Sequence, residues 1–199
     1  GGVFVNVARA GITDEAALDI HDIPAYFKYV LERIDLSRDL HFQTNTSIDT
    51  LDYSGNGLNT GSKVIFAANG NKKRELKNEI GQLGLPDGFE NPKIVLPGIF
   101  ALKGKTFTSY ENAEKEMTQL SDALSSQELS GFPMIVVCDD PEFLSAKLNN
   151  FLWATFTRSN PANDIYGVNS FTEHKHWGCK GPVIIDARIK PHHAPPLEK

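Results

Sequence analysis

The stretch FLWATFTRSNPANDIY, residues 151–166, decides the fold. Its apolar residues recur at helical spacing, then give way to a turn (Ser-Asn-Pro) and to residues suited to a strand. An earlier stretch, YVLERIDLSRDLHF (residues 29–42), has the same layout. Arg33 and Arg158 stand 125 positions apart, and so do Asp39 and Asp164. That period is too long for a solenoid. It predicts two copies of one helix–turn–strand unit.

Working outward, each copy acquires flanking strands. In the first, VFVNVA (Val3 to Ala8) reads as a strand. Asp22 caps a helix with Pro24 in its first turn, and Ile23, Tyr26, Phe27, Val30, Leu31 and Ile34 share one face. Asp39 to Thr44 and KVIFAA (Lys63 to Ala68) are strands, joined by a loop rich in turn residues. In the second copy PMIVVC is a strand, Leu144, Leu148, Phe151 and Leu152 face inward on a helix, and PVIIDA closes the unit after a polar loop. Lys63 in GSKVIF corresponds to Lys180 in GCKGPV, 117 positions on, so the difference in length falls in the loop.

Residues 1–82 therefore form a first unit, 83–130 a connecting region and 131–199 a second unit with a Pro-rich tail. In the connecting region, KIVLPGIFAL reads as a strand interrupted by Pro97 and Gly98. Thr108 and Glu111 have capping-box spacing ahead of a helix carrying Ala113, Met117, Leu120 and Leu124. NKKRELK (Asn71 to Lys77) reads as a solvated helix face. Strands alternating with helices predict an α/β layered domain, with a mixed sheet covered by helices and two pseudo-repeated halves.

A net charge of −5 argues against a nucleic-acid partner. Two cysteines, Cys138 and Cys179, make no disulfide framework, and a reduced thiol in a cytoplasmic protein is expected. No apolar run reaches the roughly 20 residues that span a bilayer. The start at GGVFVNV, without Met, is expected of a fragment of a longer chain whose first glycine is an added residue.

Three stretches carry chemistry. The Arg33/Asp39 and Arg158/Asp164 pairs suit an Arg at a helix C-terminus and an Asp that accepts its hydrogen bonds and fixes the turn. The loop Ser54 to Lys63 has the glycines and the lysine of an anion cradle, but not the order of a Walker loop. A phosphate-ligand module using Lys63 is therefore one alternative. His174, His176 and Cys179, with His192 and His193 beyond, offer a second, a metal-binding protein. Neither a nucleophile elbow nor a G-x-G-x-x-G is present.

The runs DIHDIPAYFKYVLERIDLSRD (Asp19 to Asp39), TSIDTLDY (Thr46 to Tyr53) and GSK (Gly61 to Lys63), taken jointly, resemble the C-terminal domain of the UbiD-like decarboxylases. In that family a helix ending in W-A-x-x-T-R leads into an R-x-D-P-x-R-D turn, a strand, an I-D-x-L-D segment and a G-S-K strand. The first copy keeps Ile48-Asp49 and Leu51-Asp52 but has Lys28 and Tyr29 in place of Trp-Ala. The second restores Trp153-Ala154, Thr157-Arg158 and Asn160-Pro161-Ala162, keeps Asp139-Asp140 after its strand, and lacks I-D-x-L-D.

The resemblance implies a non-oxidative carboxy-lyase of aromatic or α,β-unsaturated acids. It implies prenylated FMN, a divalent metal and potassium in the parent enzyme, with the catalytic Glu-Arg-Glu trio on preceding domains. No residue here is expected to be catalytic or to hold a cofactor or metal. For the C-terminal domain it implies cleft closure, dimerisation and pocket-facing apolar residues, which map to Ile48 and Leu51. The partners implied are the N-terminal and flavin-binding domains and a second copy of the enzyme. Arg33, Asp39, Lys63, Arg158, Asp164 and Lys180 are structural in this reading.

Overall fold

The computed structural model describes residues 2–7, 21–49, 52, 54–55, 57–68 and 70–191. Leu51, His192 and His193 lie outside them. The chain is α/β, with three sheets among the described residues. Strands β1 (Gly2–Val7), β2 (Leu40–Ser47) and β3 (Thr60–Ala68) form a sheet in the order β1-β3-β2. β4 (Glu90–Leu96), β5 (Ile99–Lys103), β6 (Met134–Cys138), β7 (Ile165–Gly167) and β10 (Val183–Asp186) form a second, in the order β4-β5-β6-β10-β7. β8 (Ser170–Glu173) and β9 (His176–Cys179) make a hairpin.

In the first sheet β3 runs parallel to β1 and antiparallel to β2. In the second, β10 runs parallel to β6 and antiparallel to β7. The order and senses β1-β3-β2 and β6-β10-β7 are thus the same. The helices hold matching places: α1 (Ile23–Arg33) precedes β2, and α4 (Leu148–Thr157) precedes β7.

Period-two alternation sorts the five-stranded sheet between two cores. Ile99, Ala101, Met134, Val136, Val183 and Ile185 join Phe27, Val30, Leu31 and Ile34 of α1, Phe151 and Ala154 of α4, and Val64 and Phe66 of β3. Phe100, Leu102, Ile135, Val137 and Ile184 point to the other face and meet Met117, Leu120 and Leu124 of α2 (Tyr110–Leu124). The parallel centre β5-β6-β10 is accordingly covered on both faces, as its unbroken apolar runs require.

Local chemistry explains the boundaries. Asp22 caps α1, its carboxylate accepting the Ala25 N–H at 3.0 Å, with Pro24 in the first turn. Pro97 and Gly98 do more than interrupt a strand. They turn the chain so that β4 pairs with β5 as a hairpin, Gly98 taking φ +81 as the third residue of a type II turn requires. α2 is capped by Ser109, whose Oγ accepts from the Asn112 N–H, one residue later than the Thr108–Glu111 spacing predicts. The single predicted helix of the second unit is two, α3 (Pro141–Ala146) and α4, divided at an extended Lys147.

Two further expectations are corrected. The polar loop of the second unit contains the β8–β9 hairpin. Asn71 to Lys77 is no helix face but an extended strap, because its backbone finds partners elsewhere. Lys73 and Arg74 donate to the Glu32 carbonyl, Lys77 donates to Gly131, and the Lys77 carbonyl accepts from Gly98. Those tertiary bonds replace the local ladder a helix would make.

Candidate functional site

The helix-to-strand turns repeat atom for atom. After α1, Asp39 Oδ2 accepts the Asp35 N–H at 2.9 Å, and Asp35 Oδ1 accepts the Ser37 N–H at 3.1 Å. After α4, Asp164 Oδ2 accepts the Asn160 N–H at 2.6 Å, and Asn160 Oδ1 accepts the Ala162 N–H at 3.3 Å. Each aspartate does fix its turn. The arginines expected to bond them do not. Arg33 donates to the Tyr29 carbonyl and Glu32 and stacks on the Tyr29 ring 3.9 Å away, while Asp39 takes the Arg38 side chain instead. Arg158 is buried, and its Nε has no partner among the described residues. The reason is geometric: a helix-terminal Arg follows its own last turn, whereas the Asp six residues on points back into the loop.

Each turn is also docked by the opposite half. Ser62 Oγ bonds Asn160 Oδ1 and accepts the Ala162 N–H at 2.8 Å. In the matching place Cys179 donates its N–H to the Leu36 carbonyl at 3.0 Å, and Gly178 lies flat on Ser37. Gly61-Ser62-Lys63 and Gly178-Cys179-Lys180 thus serve as reciprocal clasps. Lys63 sits half-buried on β3 and Lys180 is exposed.

The densest chemistry lies beyond the carboxyl ends of the parallel strands, where open α/β sheets place ligands. Asp186 ends β10, and Asp186, Arg188 and Lys190 are all buried. Arg188 grips Asp186 through Nε–Oδ1 at 2.8 Å and Nη2–Oδ2 at 2.7 Å, and reaches Glu116 at 2.6 Å and the Lys105 carbonyl at 2.9 Å. Lys190 Nζ donates to the carbonyls of Asp186 (2.8 Å) and Arg158 (3.1 Å) and lies 3.2 Å from Asp164 Oδ1, an ion pair without hydrogen-bond alignment. The second half's turn is therefore locked to the segment that follows β10.

Burial governs the ionisation here. It pushes Asp164 up to about 6 against the opposing pull of Lys190 and the Asn160 N–H. Burial also opposes the charge of Asp186, but the Arg188 fork and Lys190 outweigh it and hold the carboxyl below its usual range. Partial burial, with the nearby Asp164 adding to it, raises Tyr110 to about 12. Both cysteines are buried and free, and burial raises each thiol to about 12, which makes them poor nucleophiles.

The sequence reading missed Asp186, Arg188, Lys190 and Glu116. One signal was present: D-A-R-I-K follows a strand, and alternation places Asp186, Arg188 and Lys190 on one side of an extended chain. Of the residues expected at a substrate pocket, Ile48 is buried over the 54–61 loop. Its Cδ1 lies 2.7 Å from where a Cβ would stand at either Gly55 or Gly61, and at Gly55 the backbone carbonyl of Thr60 also bars a side chain, so that position needs glycine.

In the candidate anion cradle, the N–H and hydroxyl of Ser54 both bond Asp52, so its first donors are turned to a carboxylate. His174 stands exposed at the hairpin turn, whereas Cys179 is buried and its thiol meets the Gly181 carbonyl. Among the described residues no three or more His, Cys, Asp or Glu converge as metal ligands. No helix is long and apolar enough to cross a membrane among them.

Residues 6–68 match the model of the 3-octaprenyl-4-hydroxybenzoate carboxy-lyase C-terminal domain. A Chlamydia pneumoniae protein described as a 4-hydroxybenzoate decarboxylase subunit is 33% identical over 177 residues, 85% of this chain and 27% of that protein. Proteins of undescribed function from Chlamydia trachomatis serovar D and Chlamydia muridarum are each 33% identical, over 90% and 94% of this chain. The chain spans 27–30% of the length of these curated relatives.

Proposed function

This chain carries a UbiD-type carboxy-lyase C-terminal domain, and from that premise we propose that it is the C-terminal region of a decarboxylase of aromatic or α,β-unsaturated acids. The observation that carries the reading is the likeness of 85% of the chain to a relative described as a decarboxylase subunit. Its part is mechanical: it closes the cleft, shapes the substrate pocket and pairs with a second copy of the enzyme in the cytoplasm. Ile48 acts by setting the shape of the 54–61 loop, and Leu51 is the other pocket-facing residue on this reading.

The described residues do not fit a flavin phosphate or a catalytic metal. The buried cations Arg188 and Lys190 are committed to carboxylates and carbonyls, and no ligand set converges. Prenylated FMN, the divalent metal and potassium are assigned to the domains that this chain would adjoin.

The second half, residues 131–199, is on this reading a diverged copy of the first. Matching strand order, matching turn hydrogen bonds and the reciprocal clasps support that view. The halves would pack about a pseudo-twofold axis, imitating within one chain a pairing between two chains.

The test is reconstitution. The folded chain, incubated with prenylated FMN, metal and potassium, is expected to show no flavin absorption band after desalting and no CO2 release from 4-hydroxybenzoate. The full-length parent is expected to show both. A stoichiometric flavin band in the isolated chain would overturn the assignment.

A further inference from the structure

A groove of about 540 Å³ lies between the 71–77 strap, the C-terminal end of α2 and the chain around Lys180. That volume suits a small molecule. The strap brings Lys73 and Arg74 to the groove beside the Asp35–Ser37 turn. Lys180 arrives from the other half because Gly178 and Cys179 clasp that same turn. The basic run of the strap thus meets a second source of positive charge around one concave surface.

The acids of the groove are engaged, whereas its cations are largely not. Asp35 Oδ1 accepts from the Ser37 N–H and hydroxyl, and Oδ2 faces Lys73 at 3.6 Å. Glu128 Oε1 accepts from the Ser130 N–H and hydroxyl. Arg74 is half-buried, and its one hydrogen bond among the described residues runs from Nη1 to the Leu31 carbonyl at 2.5 Å. Burial opposes its charge, and Asp35 supports it only from a distance. A guanidinium taken partly out of water without a counterion is costly. Lys180 is exposed and makes no ion pair among the described residues. Glu128 Oε2 and the Asn169 amide line the groove and likewise lack hydrogen-bond partners among them.

We propose that this groove binds a phosphate monoester of a small polyol, the sugar-phosphate class. The phosphate would accept from Arg74 and Lys180, whose paired charges a dianion balances and a monocarboxylate does not. The hydroxyls of the body would donate to Glu128 Oε2 and bond the Asn169 amide. An aryl or alkyl body would leave those groups unmatched, because Leu36, Leu129 and Val168 are buried beneath the groove and show little surface. The site uses neither Ile48 nor Leu51 and does not depend on the decarboxylase reading.

The test titrates the folded chain with glucose 6-phosphate and, separately, with inorganic phosphate and with glucose. The Asn169 side-chain amide and Arg74 Nε–H resonances are followed by NMR. Saturable glucose 6-phosphate shifts are expected at both, with inorganic phosphate severalfold weaker and glucose silent. Arg74→Gln is expected to weaken glucose 6-phosphate roughly tenfold, as loss of a charge-assisted pair would, and Lys180→Ala severalfold. The proposal is overturned by a folded chain with no saturable glucose 6-phosphate response or by glucose binding as tightly. Inorganic phosphate binding as tightly would overturn it too, marking an adventitious ion only. Should Arg74→Gln fail to fold, the exposed Lys180→Ala decides, and unchanged affinity there overturns the site. Failure here leaves the flavin and CO2 readouts of the parent untouched, so the two readings fail separately.

Discussion

The turn after α1 and the turn after α4 have the same hydrogen bonds and opposite surroundings. Asp39 meets Arg38, which is well exposed to solvent, whereas Asp164 meets a wholly buried Lys190. Asp35 in the first turn becomes Asn160 in the second, which removes a carboxylate where Asp164 and Asp186 are already close. A motif can thus hold one geometry on a wet surface with surface charges, and in a dry interior only with a dedicated buried cation. That difference decides which half is the more fragile.

The largest effect is expected from Lys190→Met. It leaves Asp164 in the interior without its cation, beside an Asp186 that keeps only Arg188, and should cost about 3–5 kcal/mol in urea denaturation. The matching surface change, Arg38→Ala, should leave the midpoint within error. Equal losses from the two would break the comparison.

The glycine clasps should separate next. A Cβ at Gly178 would stand 2.6 Å from the Ser37 carbonyl oxygen, which is backbone and cannot swing aside. Gly178→Ala should cost about 1–3 kcal/mol. Gly61→Ala meets the end of the flexible Ile48 side chain and should cost less. Ser62→Ala removes both bonds to the Asn160 turn and should cost about 1–2 kcal/mol, whereas Cys179→Ala keeps its backbone clasp and should cost less.

The pH response is the finest discriminator. Asp164 titrates higher folded (about 6) than unfolded (3.8), so its contribution is fully present below pH 3.8 and is lost as pH rises through about 6. Asp35 is held low, chiefly by the Ser37 hydroxyl, so its contribution is present above pH 3.8 and lost on acidification below that. Asp164→Asn should flatten the denaturation midpoint between pH 4 and 6, and Asp35→Asn should not. A flat wild-type profile in that window would contradict the raised Asp164.

Much of the fold was legible because its signals are local. Asp22 before Pro24, the α2 stripe and the MIVVC strand each follow from spacing or propensity, and each appears. What escaped the sequence depends on partners distant in the chain. The 71–77 strap looks helical until Glu32 and Gly131 take its backbone N–H groups. Arg33 and Arg158 looked like partners of their aspartates, but the three-dimensional path of each loop hands those carboxylates to Arg38 and Lys190. The β8–β9 hairpin read as loop because each of its strands is only four residues long.

The clasp of Ser62 on Asn160 and Ala162 joins residues 98 and 100 positions apart. During synthesis, then, the first half emerges from the ribosome long before the residues that cover the apolar faces of α1 and β3 exist. Closing such long loops is slow compared with forming a helix. The early half must wait with part of its apolar surface bare.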